Sequence, residues 1–103
     1  MRSSLLLLAC LTLVMLVAGE ADAEKEPEWN FTTGGYLFSV AISADGEHIA
    51  AGGTDEKVYL FDKDSSTPLW SYASGNDVQT VSISADGEYI VAGSRDGKVY
   101  LFN

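Results

Sequence analysis

A 41-residue repeat fills most of this chain. Laid without gaps against Trp70 to Asn103, the segment Trp29 to Asp62 is identical at 18 of 34 positions. A fixed period of this length constrains the architecture more than any local propensity does, because each repeat must fold as one unit and bury its apolar face on a neighbour. The longest shared blocks are Ser-Ala-Asp-Gly-Glu, at Ser43 to Glu47 and Ser84 to Glu88, and Lys-Val-Tyr-Leu-Phe, at Lys57 to Phe61 and Lys98 to Phe102.

The repeated blocks have strand chemistry. Leu37 to Ser43 and Val78 to Ser84 are rich in β-branched and apolar residues, and each runs into an Asp-Gly pair suited to a tight hairpin, Asp45-Gly46 and Asp86-Gly87. Beyond the turn, Ile49 to Gly52 and Ile90 to Gly93 predict short strands whose small side chains let neighbouring sheets approach closely. A second hairpin turns at Asp96-Gly97 in the second copy. The first copy has Asp55-Glu56 there, a poorer choice where a positive φ is needed and one that should cost local stability. Val58 to Phe61 and Val99 to Phe102 are apolar at every position, as expected of strands buried on both faces. Thr67 to Ala73, carrying Trp70, predicts a fourth strand. Trp29-Asn30-Phe31 resembles Trp70-Ser71-Tyr72, so the repeat region is expected to open with a strand of the same kind.

Four strands in a period of 41 fit a blade of a β-propeller, whose repeats run to about 40–45 residues. Helical repeats are excluded by the strand chemistry. The expected fold is all-β: an incomplete propeller of about two four-stranded antiparallel blades, with further blades missing from this chain, preceded by a signal-peptide helix. Residues 29–103 form the repeat region, with copies at 29–62 and 70–103 joined by 63–69, and residues 24–28 form an acidic linker. Closed propellers use roughly four to eight blades, so two blades alone are expected to fold poorly or to associate through their apolar faces.

Ala44-Asp45-Gly46, Ala51-Gly52, Lys57 to Asp62 and Trp70-Ser71-Tyr72 resemble a blade of the quinoprotein type, the pyrroloquinoline-quinone-like propellers. That resemblance implies a blade-docking role for Trp29 and Trp70, each packing against the next blade. Val40 to Gly46 and Lys57 to Asp62 are also similar to WD-repeat blades, with Phe61-Asp62 standing where those have a Trp-Asp pair. Quinoprotein dehydrogenases hold their cofactor with a vicinal disulfide, a calcium ion and axial acidic ligands, and this sequence contains no Cys-Cys pair.

The N-terminus has the layout of an export signal. Met1 and Arg2 supply a positive start, and Leu5 to Ala18 carry no charge. As a helix those fourteen residues reach about 21 Å, short of a hydrocarbon core of roughly 30 Å. Ala21-Asp22-Ala23 places small residues where a signal peptidase reads, so residues 1–23 are expected to be removed, with an uncleaved anchor as the alternative and the chain's only membrane contact. The expected location is secreted or extracytoplasmic. The single cysteine, Cys10, lies in the apolar run, so the mature product has no thiol and relies on packing.

With 6 Lys+Arg against 15 Asp+Glu, the chain disfavours phosphate backbones, and nucleic acid is not an expected partner. No residue set suggests catalysis, a cofactor or a metal. The lone histidine, His48, has Tyr89 as its repeat equivalent, which points to a packing or surface role. Asp62, Asp64 and Ser66 alternate like the start of a calcium loop, but Thr67 replaces the required glycine and Ala73 the closing glutamate. Asp45, Asp86 and Asp96 are accounted for by turn formation. Asn30-Phe31-Thr32 is a glycosylation sequon, disfavoured by the strand expected there.

Repeated residues build a blade, whereas unrepeated loop residues tailor one face. The main differences are Gly35 to Phe38 against Asn76 to Gln79, and Thr54 against Arg95. The sequence therefore supports an exported, non-catalytic scaffold presenting loops to a protein, glycan or cell-envelope component. The alternative is a portion of a quinone-dependent dehydrogenase or related sensor.

Overall fold

The computed structural model describes residues 24–103. The expected signal peptide, with Cys10 and the cleavage point at Ala23, lies outside the described residues.

Seven strands follow one another: β1 (Leu37–Ile42), β2 (His48–Gly53), β3 (Lys57–Asp62), β4 (Trp70–Ala73), β5 (Val78–Ile83), β6 (Ile90–Ser94) and β7 (Val99–Phe102). They build two antiparallel meanders, a first sheet ordered β1-β2-β3-β4 and a second ordered β5-β6-β7. No helix occurs among the described residues. The repeat is visible in the registers: Val40 faces Ala51 as Val81 faces Ala92, and Ile49 faces Phe61 as Ile90 faces Phe102. Both sheets carry an irregularity at the equivalent place, between Leu37 and Ser39 and between Val78 and Thr80. An extra residue there bends the strand and turns Phe38 and Gln79 outward.

The hairpins show how the Asp-Gly pairs work. The N–H of Gly46, Gly87 and Gly97 donates to the carbonyl three residues back, on Ser43 (2.8 Å), Ser84 (2.9 Å) and Ser94 (3.0 Å). Only the glycines take positive φ, at 73°, 75° and 82°, so these are not two-residue turns with both central residues left-handed. The aspartates contribute through their side chains: Asp45, Asp86 and Asp96 each accept the N–H two residues on, from Glu47 (3.0 Å), Glu88 (3.0 Å) and Lys98 (2.8 Å). In the first copy Glu56 holds the left-handed position at φ 70°, the only non-glycine among the described residues to do so.

The two sheets stack face to face. Val58, Leu60 and Ala50 of the first meet Val81, Ile90 and Ala92 of the second, with Val78 sealing one end. β5 lies across β1 and β2. Gly52 permits that approach, since a Cβ on it would run into the Val78 side chain and stand 3.2 Å from Val81 Cγ1. Two polar ties cross the junction: the Val81 N–H donates to Ser39 Oγ (3.2 Å) and the Asp45 N–H to the Ala85 carbonyl (3.0 Å).

Two expectations are corrected. No strand forms over residues 24–36, so Trp29-Asn30-Phe31 is not a strand, although Trp70-Ser71-Tyr72 lies in β4. A strand needs a partner edge, and here Trp29 and Phe31 instead lay their rings on the outer face of the first sheet, against Phe61 and Tyr59. The second correction concerns β7. Its twin β3 is buried from Val58 to Phe61, but in β7 Val99 is 77% and Leu101 66% exposed. The first sheet is packed by the second on one face and partly covered by Trp29 and Phe31 on the other, whereas nothing among the described residues lies on the outer face of the second.

Candidate interaction surface

The meander topology sorts the loops into two ends. One end gathers the segments entering β1 and β5 with the β2–β3 and β6–β7 turns. The other gathers the β1–β2 and β5–β6 turns with the β3–β4 loop.

The first end collects most of the loop residues in which the repeats differ, although His48 against Tyr89 and Asp62 against Asn103 differ at the other. The Thr54 N–H donates to the Tyr36 carbonyl (2.8 Å), and the Tyr36 N–H donates back to Thr54 Oγ1 (2.7 Å). In the second copy the Arg95 N–H donates to the Asp77 carbonyl (2.9 Å). The exposed Arg95 guanidinium lies 3.8 Å from the half-buried Asp77 carboxylate, a long contact that orients the side chain and adds little stability. Gly35 lies so close to Thr54 that a side chain there would strike Thr54 Oγ1. Ser74 bridges the copies, its N–H donating to the Glu56 carbonyl (2.8 Å) and its hydroxyl to the Asn76 carbonyl (2.7 Å). Tyr36, on this rim, is 81% exposed, the most exposed large apolar side chain described. The result is an aromatic ring, a guanidinium and amide and hydroxyl groups on a hydrogen-bonded backbone, a composition suited to recognition.

The second end is acidic, and its two hairpin turns are repeated from Ser43 to Glu47 and from Ser84 to Glu88. Asp45 and Asp86 are held below the usual carboxylate range, Asp45 chiefly by the Ser43 hydroxyl and Asp86 chiefly by the Glu88 N–H. The Asp64 N–H donates to Asp62 Oδ1 (2.9 Å) and Lys63 Nζ to Asp64 (3.0 Å), so the alternating acids of this loop cap their own turn. No group of three or more His, Cys, Asp or Glu side chains is arranged to hold a metal among the described residues. His48 packs against Gly87 across the junction, with its Nδ1 buried and unpartnered.

The aromatic ladder binds turn to strand. The Tyr100 hydroxyl donates to Asp96 Oδ2 (2.7 Å), and the Tyr59 hydroxyl donates to Asp55. Both phenols are pushed up to about 12, Tyr100 chiefly by the Asp96 hydrogen bond and Tyr59 chiefly by burial. Asp96 is correspondingly held low, first by the Tyr100 hydroxyl.

Trp70 reaches from the first sheet to the second, its ring 4.8 Å from that of Phe102. Trp29 stands 5.2 Å from Phe61 and donates its Nε1–H to the Lys63 carbonyl (2.7 Å). Both indoles are half-buried. Asn30 is exposed and, with Phe31 outside any strand, the backbone of the sequon is not held in a sheet.

Sequence reasoning singled out Gly35 to Phe38, Asn76 to Gln79, Thr54 and Arg95, and the fold brings them to one end. It missed Ser74, whose bridging role has no signal in a comparison of the copies, since Thr33 stands at the equivalent place.

No curated protein matches the chain. A family model described as WD domain, G-beta repeat matches residues 26–62, which hold β1 to β3, and residues 66–103, which hold β4 to β7, so each match is offset from its sheet by the outer strand β4. Phe61, 3% exposed beneath Trp29, fills the position of the aromatic in the Trp-Asp pair of such repeats. By those two tandem matches the chain belongs to the WD40 repeat family.

Proposed function

We propose that this chain is an exported, non-catalytic propeller scaffold that binds a protein or cell-envelope component through the end carrying Tyr36, Thr54, Asn76 and Arg95. WD40 repeats are a protein-interaction architecture, which supports the scaffold reading. The observation that carries the choice of surface is the gathering of unrepeated residues at one end, held there by the paired bonds between Tyr36 and Thr54 and the bond from Arg95 to Asp77. Repeated positions serve the blade, so side chains that escape the repeat at one rim are free to serve a ligand. Export rests on the uncharged run Leu5 to Ala18 and the small residues around Ala23. The quinone-dependent alternative rests on sequence resemblance alone.

Photo-crosslinking on the secreted chain tests the surface. A crosslinker replacing Tyr36 should capture a discrete partner that the same crosslinker at Glu47, on the opposite end, does not, and Arg95→Glu should abolish the adduct. Equal capture from both ends would overturn the assignment. N-terminal sequencing tests export, with a product beginning at Glu24 expected and a membrane-bound product retaining Met1 contrary to it.

A further inference from the structure

The two free faces of this structure are repeat copies of the two faces already joined inside it. The second sheet meets the first through Val81, Ile90, Tyr100 and Phe102. Forty-one residues earlier stand Val40, Ile49, Tyr59 and Phe61, the same four residue types, on the outer face of the first sheet. That face is only partly covered: Trp29 and Phe31 lie over one side, and Val40 remains 64% exposed. The opposite half of the junction is Ala50, Val58 and Leu60. Their equivalents, Val91, Val99 and Leu101, form the bare outer face of the second sheet.

The details of the junction repeat as well. Gly52 admits Val78 at the joined face, and its equivalent Gly93 meets only Thr80 of its own sheet, while Leu37, the equivalent of Val78, is 47% exposed. The hydroxyl of Ser39, which accepts the Val81 N–H, is retained in Thr80. Gly87 is covered by His48, but Gly46 faces open space and Tyr89, the equivalent of His48, is exposed. β7 is an edge strand of its sheet, and the segment repeating β4 is Trp29-Asn30-Phe31, which is in no sheet.

We infer that the occupant of each free face is a second copy of this chain, docked head to tail. The outer face of the second sheet of one copy seats on the outer face of the first sheet of the next, reproducing the internal junction. Leu37 of the incoming copy fills the space at Gly93, and its Trp29-Asn30-Phe31 pairs with β7 as β4 pairs with β3. Such a contact is heterologous, each copy offering both halves, and it closes into a ring when the rotation permits. With two sheets per copy and about four to eight blades in a closed propeller, the ring takes about two to four copies. This assembly is independent of the loop end that serves partner binding.

Light scattering coupled to size exclusion on the secreted chain gives the test. The unaltered chain should elute as one species of about two to four copies, and a monomer at all concentrations up to about 100 µM overturns the proposal. Leu101→Asp and Val40→Asp each charge one exposed face, and each should reduce the mass to a single chain while circular dichroism keeps its β signature. Val99→Lys serves in place of Leu101→Asp if that variant unfolds. The decisive measurement mixes the two variants: each retains the face the other lost, so one heterodimer should form and grow no further. A mixture that stays monomeric, or a single variant that dimerises by itself, overturns the head-to-tail geometry.

Discussion

Trp70 on β4 and Phe102 on β7 belong to different sheets, yet their rings lie 4.8 Å apart and tilted by 39°, the one indole-ring pairing among the described residues that crosses the junction. Tyr72 extends the seam onto Tyr100 at 5.4 Å. A buried tryptophan truncated to alanine costs about 3–5 kcal/mol, and Trp70 is half-buried, so Trp70→Ala should cost about 2–3 kcal/mol. Urea unfolding of the purified chain checks this. A cost below about 0.5 kcal/mol would mean that the ring behaves as a surface group.

The repeat made most of this fold legible. Its period, strand chemistry and Asp-Gly pairs located all seven strands, because each signal is local to a few residues and occurs twice. What it did not reveal depends on neighbours. Trp29-Asn30-Phe31 has the residues of a strand but no edge to pair with, and Val99 and Leu101 have the residues of a doubly buried strand but only one covered face. At the loop end, sequence marked which residues differ. It could not show that Tyr36 and Thr54, or Asp77 and Arg95, are bound to each other through the backbone.

Glu56 offers a gain in stability. Its φ of 70° places a Cβ in the left-handed region, which costs an ordinary residue about 1–2 kcal/mol, and the equivalent Gly97 takes φ 82° without that cost. Part of the gain from glycine is offset by its greater freedom in the unfolded chain. Glu56→Gly should therefore stabilise by about 0.5–1 kcal/mol, and Gly97→Glu should destabilise by a similar amount. Paired thermal melts decide it, and a destabilised Glu56→Gly variant would refute strain at this turn.

The pH dependence follows from the turn aspartates and the two phenols. Asp45, Asp86 and Asp96 sit below 3.8 in the folded chain, so their stabilisation is complete above that value. It is lost as the pH falls from 3.8 through their folded values, where protonation breaks the bonds to the N–H and hydroxyl donors. Tyr59 and Tyr100 run the other way. Raised from 10.0 to about 12, they keep their protons in the folded chain over a range in which the unfolded chain loses them. Their contribution is complete below 10.0 and disappears as the pH rises towards 12. The melting temperature should therefore be level from about pH 5 to 9 as far as these groups are concerned, falling on the acid side below 3.8 and on the alkaline side above 10.0. Asp86→Asn should flatten the acid limb alone. Tyr100→Phe, which keeps the ring on Phe102 and removes the hydroxyl bonded to Asp96, should flatten the alkaline limb and also weaken the acid one, because the Tyr100 hydroxyl is the chief cause of the low Asp96 value. An alkaline limb unchanged in Tyr100→Phe would show that this phenol ionises in the folded chain as it does in water.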